Sequence, residues 1–117
     1  MEGVLIDACT IEKKKLIIFM LDQLTDTDFQ PLLQQEFVIG FTNDLKLEAE
    51  LIEVSKLGED PTDGKRHPFS LVFRTTEKKP FPQATYPVAH PRFGEMEIFL
   101  VPIGPDRQGM RYEAVFT

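Results

Sequence analysis

From Phe37 to the C-terminus, apolar residues recur at every second position, in short runs broken by turn-forming residues. That period matches the pleat of a strand, whose side chains point alternately to two faces, and it does not fit an amphipathic helix. Phe37, Ile39 and Phe41 alternate with Val38 and Gly40, and Asn43-Asp44 supplies a turn. Leu45, Leu47, Ala49 and Leu51 alternate with Lys46, Glu48 and Glu50, and then the phase slips so that Ile52 and Val54 take over. A slip of one residue inside a long strand predicts a β-bulge, the device that bends a strand around a barrel corner. After a polar loop from Gly58 to His67, Phe69, Leu71 and Phe73 alternate with Ser70, Val72 and Arg74. Thr85 to His90 contains Pro87, which predicts an edge strand because proline donates no ladder hydrogen bond. Phe93 to Gly104 is the fifth run, Gly104 to Gly109 a hairpin loop, and Arg111 to Phe116 the sixth strand. The fold expected is mainly β: a small six-stranded antiparallel barrel or a two-layer sandwich.

One short N-terminal helix precedes the strands. Thr25-Asp26-Thr27-Asp28 fits a capping box, Leu24 and Phe29 fit a hydrophobic staple, and the two aspartates suit the positive end of the helix dipole. Pro31 limits the helix, which is expected to run from Asp26 to Gln35 and to plug one end of the sheet with Phe29, Leu32 and Leu33.

The 117 residues make one domain. Residues 1–20 differ in texture: they hold Cys9, the lysine triplet Lys13-Lys14-Lys15 and the start of an aliphatic run, Leu16 to Leu21. Met20 stands directly before LDQLTDTDF and reads as a natural start, so residues 1–20 are expected to be an extension and residues 21–117 a single β-rich domain. The aliphatic run is too short to span a bilayer, and it lacks the length and cleavage site of a signal peptide. A single cysteine forms no intrachain disulfide and fits a reducing compartment. The expected location is the cytoplasm, with incorporation into an extracellular assembly requiring no signal peptide. A net charge of −6 repels phosphate, which argues against nucleic acid and anionic membrane as partners.

The segments DFQPLL, PFSLVFR, YPVAHPRFGEMEIFLVPIG and the terminal YEAVF together resemble an uncharacterised family of small bacterial β-rich proteins, a domain of unknown function. The resemblance covers Leu21 to Phe116. It implies an assembly or accessory role beside phage-tail-collar-like proteins, and it brings no catalytic residues with it. The chain departs from the family at Gln34-Gln35, where a glycine is expected nearby.

No catalytic or metal motif stands out. His67 and His90 each precede a proline, which favours an extended backbone, and each is expected to cap a strand end; no HExxH or Cys/His spacing accompanies them. Glu59-Asp60-Pro61-Thr62-Asp63-Gly64 matches only the first half of a calcium loop, with Ser70 where a bidentate glutamate is needed. Glu95 and Glu97 share one strand face, where like charges discourage wrong edge pairing. Ser55 and Ser70 lie in no nucleophile elbow. We expect no enzyme, no cofactor and no metal.

What remains is an apolar surplus. Phe99, Val101 and Ile103 form the second face of a strand whose first face fills the core. Burying each is worth about 1.5–3 kcal/mol, so that face needs a cover, either the chain's own N-terminal segment or another molecule. The expectation is a non-enzymatic structural or accessory protein that works by protein–protein contact. It would self-associate or join a tail-like or filamentous assembly through Phe99, Val101, Ile103 and the proline-bearing edge at Tyr86 and Pro87. The alternative is a small barrel that binds an apolar ligand, its mouth among the loops at Gly58 to His67 and Gly104 to Gly109.

Overall fold

The computed structural model of the chain describes residues 24–58 and 66–117. The expected extension, with Cys9, the lysine triplet and the Leu16 to Leu21 run, lies outside the described residues, as does the stretch from Glu59 to Lys65.

Helix α1 (Asp26–Phe29) leads into a 3-10 turn (Gln30–Leu32). Strands β1 (Glu36–Gly40), β2 (Lys46–Lys56), β3 (Phe69–Thr75), β4 (Ala84–His90), β5 (Gly94–Pro105) and β6 (Met110–Phe116) follow. They close into a barrel in the order β1-β2-β3-β6-β5-β4, with every neighbouring pair antiparallel. Two three-strand meanders are thus joined side to side, which decides for the barrel over the sandwich.

The phase slip at Ile52 is a bulge: Leu51 pairs with Phe73 and Glu53 with Val72, so Ile52 is the extra residue. It lets β2 bend while Ala49 and Leu51 above it and Val54 below it still pack on the core. The helix is shorter than expected. The Thr25 amide donates to Asp28 Oδ2 at 2.9 Å, as a capping box requires, and Leu24 and Phe29 are both buried. Pro31 sits in the first turn of the 3-10 segment, Leu33 turns extended, and Gln34 adopts a left-handed φ of +70°. The chain leaves the helix there to begin pairing, and the Gln34 amide donates to the Leu51 carbonyl at 2.7 Å.

The expected edge strand is a correction. β4 pairs with β5 from Ala84 to His90 and with β1 at Val88 and Ala89, so it lies inside a closed sheet. Pro87 is tolerated because the β1–β4 ladder stops at Ile39–Val88, one residue short of it. Its ring packs beside Gly40, where a β-carbon would lie 3.0 Å from Pro87 Cγ.

Aromatic rings close both ends. At the end where β2 leaves and β3 enters, Phe29 meets Phe69, Phe93 and Phe116 with ring centroids 5.8, 5.1 and 5.9 Å apart. At the other end the β3–β4 connection brings Phe81 onto Phe41, stacked at 4.4 Å, and the Phe81 amide donates to Tyr112 Oη at 3.0 Å. Between the plugs, Phe37, Phe73, Tyr112, Leu51, Leu71, Met96 and Leu100 fill the interior, as befits so narrow a barrel. The strand ends that flank the two loops proposed as a ligand mouth lie at opposite ends of the barrel: Lys56 and Phe69 pair at one, and Pro105 and Met110 at the other.

Candidate functional site

β5 changes partner along its length. Gly94 to Leu100 pair with β4, whereas Val101 to Pro105 pair with β6. A second bulge falls on the β6 half, where Pro102 pairs with Tyr112 and Gly104 with Arg111, leaving Ile103 as the extra residue. Gly104 takes φ +106° there, a conformation glycine adopts freely.

Core packing takes Met96, Ile98 and Leu100, so Phe99 and Val101 must point outward. Phe99 is 53% exposed and Ile103 38% exposed, while Val101 is half-buried beside Glu113. On β6, Arg111, Glu113 and Val115 share the outward phase, and Val115 is 54% exposed. Extending the Val101–Glu113 register by two residues places Phe99 opposite Val115, so the two side chains flank one position on the barrel wall. Val115 was missed in the sequence, although its signal is there: an apolar residue on the polar phase of Arg111 and Glu113.

Beneath this pair lies a depression of about 230 Å³, lined by Glu97, Ile98 and Phe99 of β5, by Val115, Phe116 and Thr117, and by Arg66. Arg66 donates to the carbonyls of Thr117 at 3.0 Å and Leu24 at 2.6 Å, and its guanidinium lies 5.6 Å from the Phe69 and Phe116 ring centroids.

Of the residues expected on this surface, Phe99 and Ile103 are exposed and Val101 lies between them. Tyr86 does not belong with them. It is 7% exposed, its ring lies 4.9 Å from that of Phe41, and its hydroxyl donates to the Pro82 carbonyl. Pro87 is half-buried against Gly40.

The polar candidates stay apart. His67 Nε2 donates toward the carbonyls of Leu57 and Gly58 at 2.9 and 3.2 Å, tying the ends of the β2–β3 loop. His90 Nδ1 accepts from the Arg92 amide at 3.1 Å, so its proton sits on Nε2, which donates to Gln35 Oε1 at 3.0 Å. Burial first, and the nearby Arg92 charge second, hold the His90 pKa below its ordinary 6.5. Among the described residues no three His, Cys, Asp or Glu side chains are placed to hold a metal ion. Glu95 and Glu97 are exposed, Ser55 Oγ donates to Glu53 Oε2 at 3.2 Å, and Ser70 is buried.

A wider groove of about 620 Å³ crosses the outer face of β1 and β2, lined among others by Glu36, Glu48, Glu50, Lys46 and Arg74. Glu48, by hydrogen bond and by charge, raises the Glu36 pKa, with burial and Glu50 adding to it. Arg74 bridges Glu50 at 3.1 Å and Asp106 at 3.0 Å, so it serves the wall rather than an open site.

The sequence profile of the domain of unknown function DUF6916 matches residues 24–116. No curated protein and no solved structure matches the chain.

Proposed function

The chain belongs to this family of unknown function, and within it we propose that the protein is a non-enzymatic accessory or structural component that acts by protein–protein contact through the outer face of β5 and β6. One observation carries the reading: Phe99, Ile103 and Val115 lie exposed on neighbouring strands of a barrel whose interior and ends are already filled. A surface cluster of this kind is costly in water unless another molecule covers it. The finer proposal, that the covering molecule is part of a tail-like or filamentous assembly, rests on what the sequence resemblance implies about neighbouring phage-tail-collar-like proteins.

The test is site-specific photo-crosslinking in the source cell. A benzoylphenylalanine replacing Phe99 is expected to capture a discrete protein, and Phe99→Asp to abolish the native complex. The same probe at Glu53, on the far wall, is expected to capture nothing. Equal capture at both positions, or a complex indifferent to Phe99→Asp, overturns the proposal. A small molecule retained in native mass spectrometry would favour the ligand-binding alternative instead.

A further inference from the structure

We propose that the face around Phe99 and Val115 is covered in the free chain by the chain's own residues 16–21, and that a partner reaches it by displacing them. The inference rests on the contact reading above and specifies how that contact is regulated.

The upstream chain enters the domain at the depression of about 230 Å³. Arg66, which lines it, donates to the Thr117 carbonyl at 3.0 Å and to the Leu24 carbonyl at 2.6 Å. Leu24 is the first described residue, so the residues before it depart from the edge of this depression. Leu21 stands three residues upstream and Leu16 eight. At about 3.3 Å per residue, an extended chain reaches about 10 Å to the first and about 26 Å to the second. Phe99 and Val115 line the same depression as Arg66, within that reach.

The chemistry of the segment fits the face. Leu16-Ile17-Ile18-Phe19-Met20-Leu21 holds no polar side chain, so it offers an apolar surface in any backbone conformation. Lys13-Lys14-Lys15 comes immediately before it, which keeps the basic and apolar side chains in separate blocks. The wall is divided in the same way along β5, with exposed glutamates at 95 and 97 and apolar residues from Phe99 to Ile103. The apolar block covers Phe99 and Val115 while the lysines reach past them to Glu95 and Glu97. The segment lies on the outside of the wall and needs no opening between β5 and β6.

Tethering selects this occupant before a partner arrives. A segment held a few residues from its site is present there at an effective concentration on the order of millimolar, without any new contact. The same face of a second copy would bring its own Glu95 and Glu97 against these, and like charges oppose that association. The depression is shallow enough to take only a few side chains, so the cover is weak. A partner with a larger apolar surface therefore replaces it.

The experiment uses the full chain with benzoylphenylalanine at position 99. In the purified, highly diluted protein, irradiation is expected to give an intrachain crosslink that peptide mass mapping places in residues 16–21. The same probe at position 53 is expected to give none there. High salt, or Lys13→Glu, Lys14→Glu and Lys15→Glu together, is expected to weaken the crosslink. Ile17→Asp with Phe19→Asp is expected to remove it, and in the source cell to raise partner capture from position 99 by about threefold or more, because the face is no longer shared. Crosslinks from position 99 that map elsewhere in the chain, or equal crosslinking to residues 16–21 from position 53, overturn the cover. A crosslinked dimer in place of the intrachain product overturns it in favour of a second copy. An intrachain product with partner capture unchanged by Ile17→Asp and Phe19→Asp overturns displacement. An intrachain product with no partner captured in any background defeats the contact reading and, with it, the displacement. A captured partner without the intrachain product defeats the cover and spares the contact reading.

Discussion

Single residues carry constraints that alternation does not encode. Gln34 holds a left-handed φ of +70°, at the turn where a glycine was anticipated from the family resemblance. That conformation costs a side-chain-bearing residue about 1–2 kcal/mol, partly offset because glycine gives the unfolded chain more freedom. Gln34→Gly is therefore expected to raise stability by up to about 1 kcal/mol, read as a higher urea midpoint at unchanged slope. Gly109 is the opposite case. A β-carbon there would stand 1.6 Å from the Thr75 carbonyl oxygen, so the hairpin needs a residue without one. His90 sets a pH limit. Its folded pKa lies below the ordinary 6.5, so below that value the unfolded chain binds the proton that the folded chain resists. Its contribution to stability is complete above pH 6.5 and is lost as pH falls toward the folded value. Thermal unfolding across that window should show an acid limb, and His90→Gln should flatten it.

At the scale of elements, the pattern was legible wherever one face was core and the other water. The strands at Phe37, Phe69 and Arg111 and the bulge at Ile52 follow from period and phase alone, because a core-facing side chain cannot change sides without a bulge. The helix was legible in its start and not in its stop. Capping is local chemistry, while the stop at Leu33 is set by pairing to Leu51, across the chain. Phe29 shows what the short helix is for: one ring reaches three others at the barrel end. Phe29→Ala is expected to cost about 3–5 kcal/mol, measured by denaturant unfolding, because the strands around the plug cannot collapse into the cavity. β4 misled for a definable reason. Proline excludes a ladder bond only where a ladder exists, and at Pro87 the β1 ladder has already ended.

For the molecule as a whole, exposure and stability separate. Phe99 and Val115 lie outside the packed interior, so Phe99→Asp is expected to change unfolding free energy by no more than about 0.5 kcal/mol while removing any complex made through this face. A large loss of stability in calorimetry would show that Phe99 belongs to the core and would remove the basis for a contact surface. The wall also explains why composition was a poor guide to the site. Ten phenylalanines imply dry surfaces, but most of those among the described residues close the two barrel ends or fill the lumen, whereas Phe99 is 53% exposed.

The sequence by itself determined most of the strands, their inward faces and the bulge at Ile52, since each depends on neighbours within a few residues. Closure into a barrel, the place of β4 within it and the depression that Phe99 and Val115 line together were decided only in three dimensions. They depend on which strands become neighbours and where their ladders stop, and that is set by the packing of the whole wall around one core.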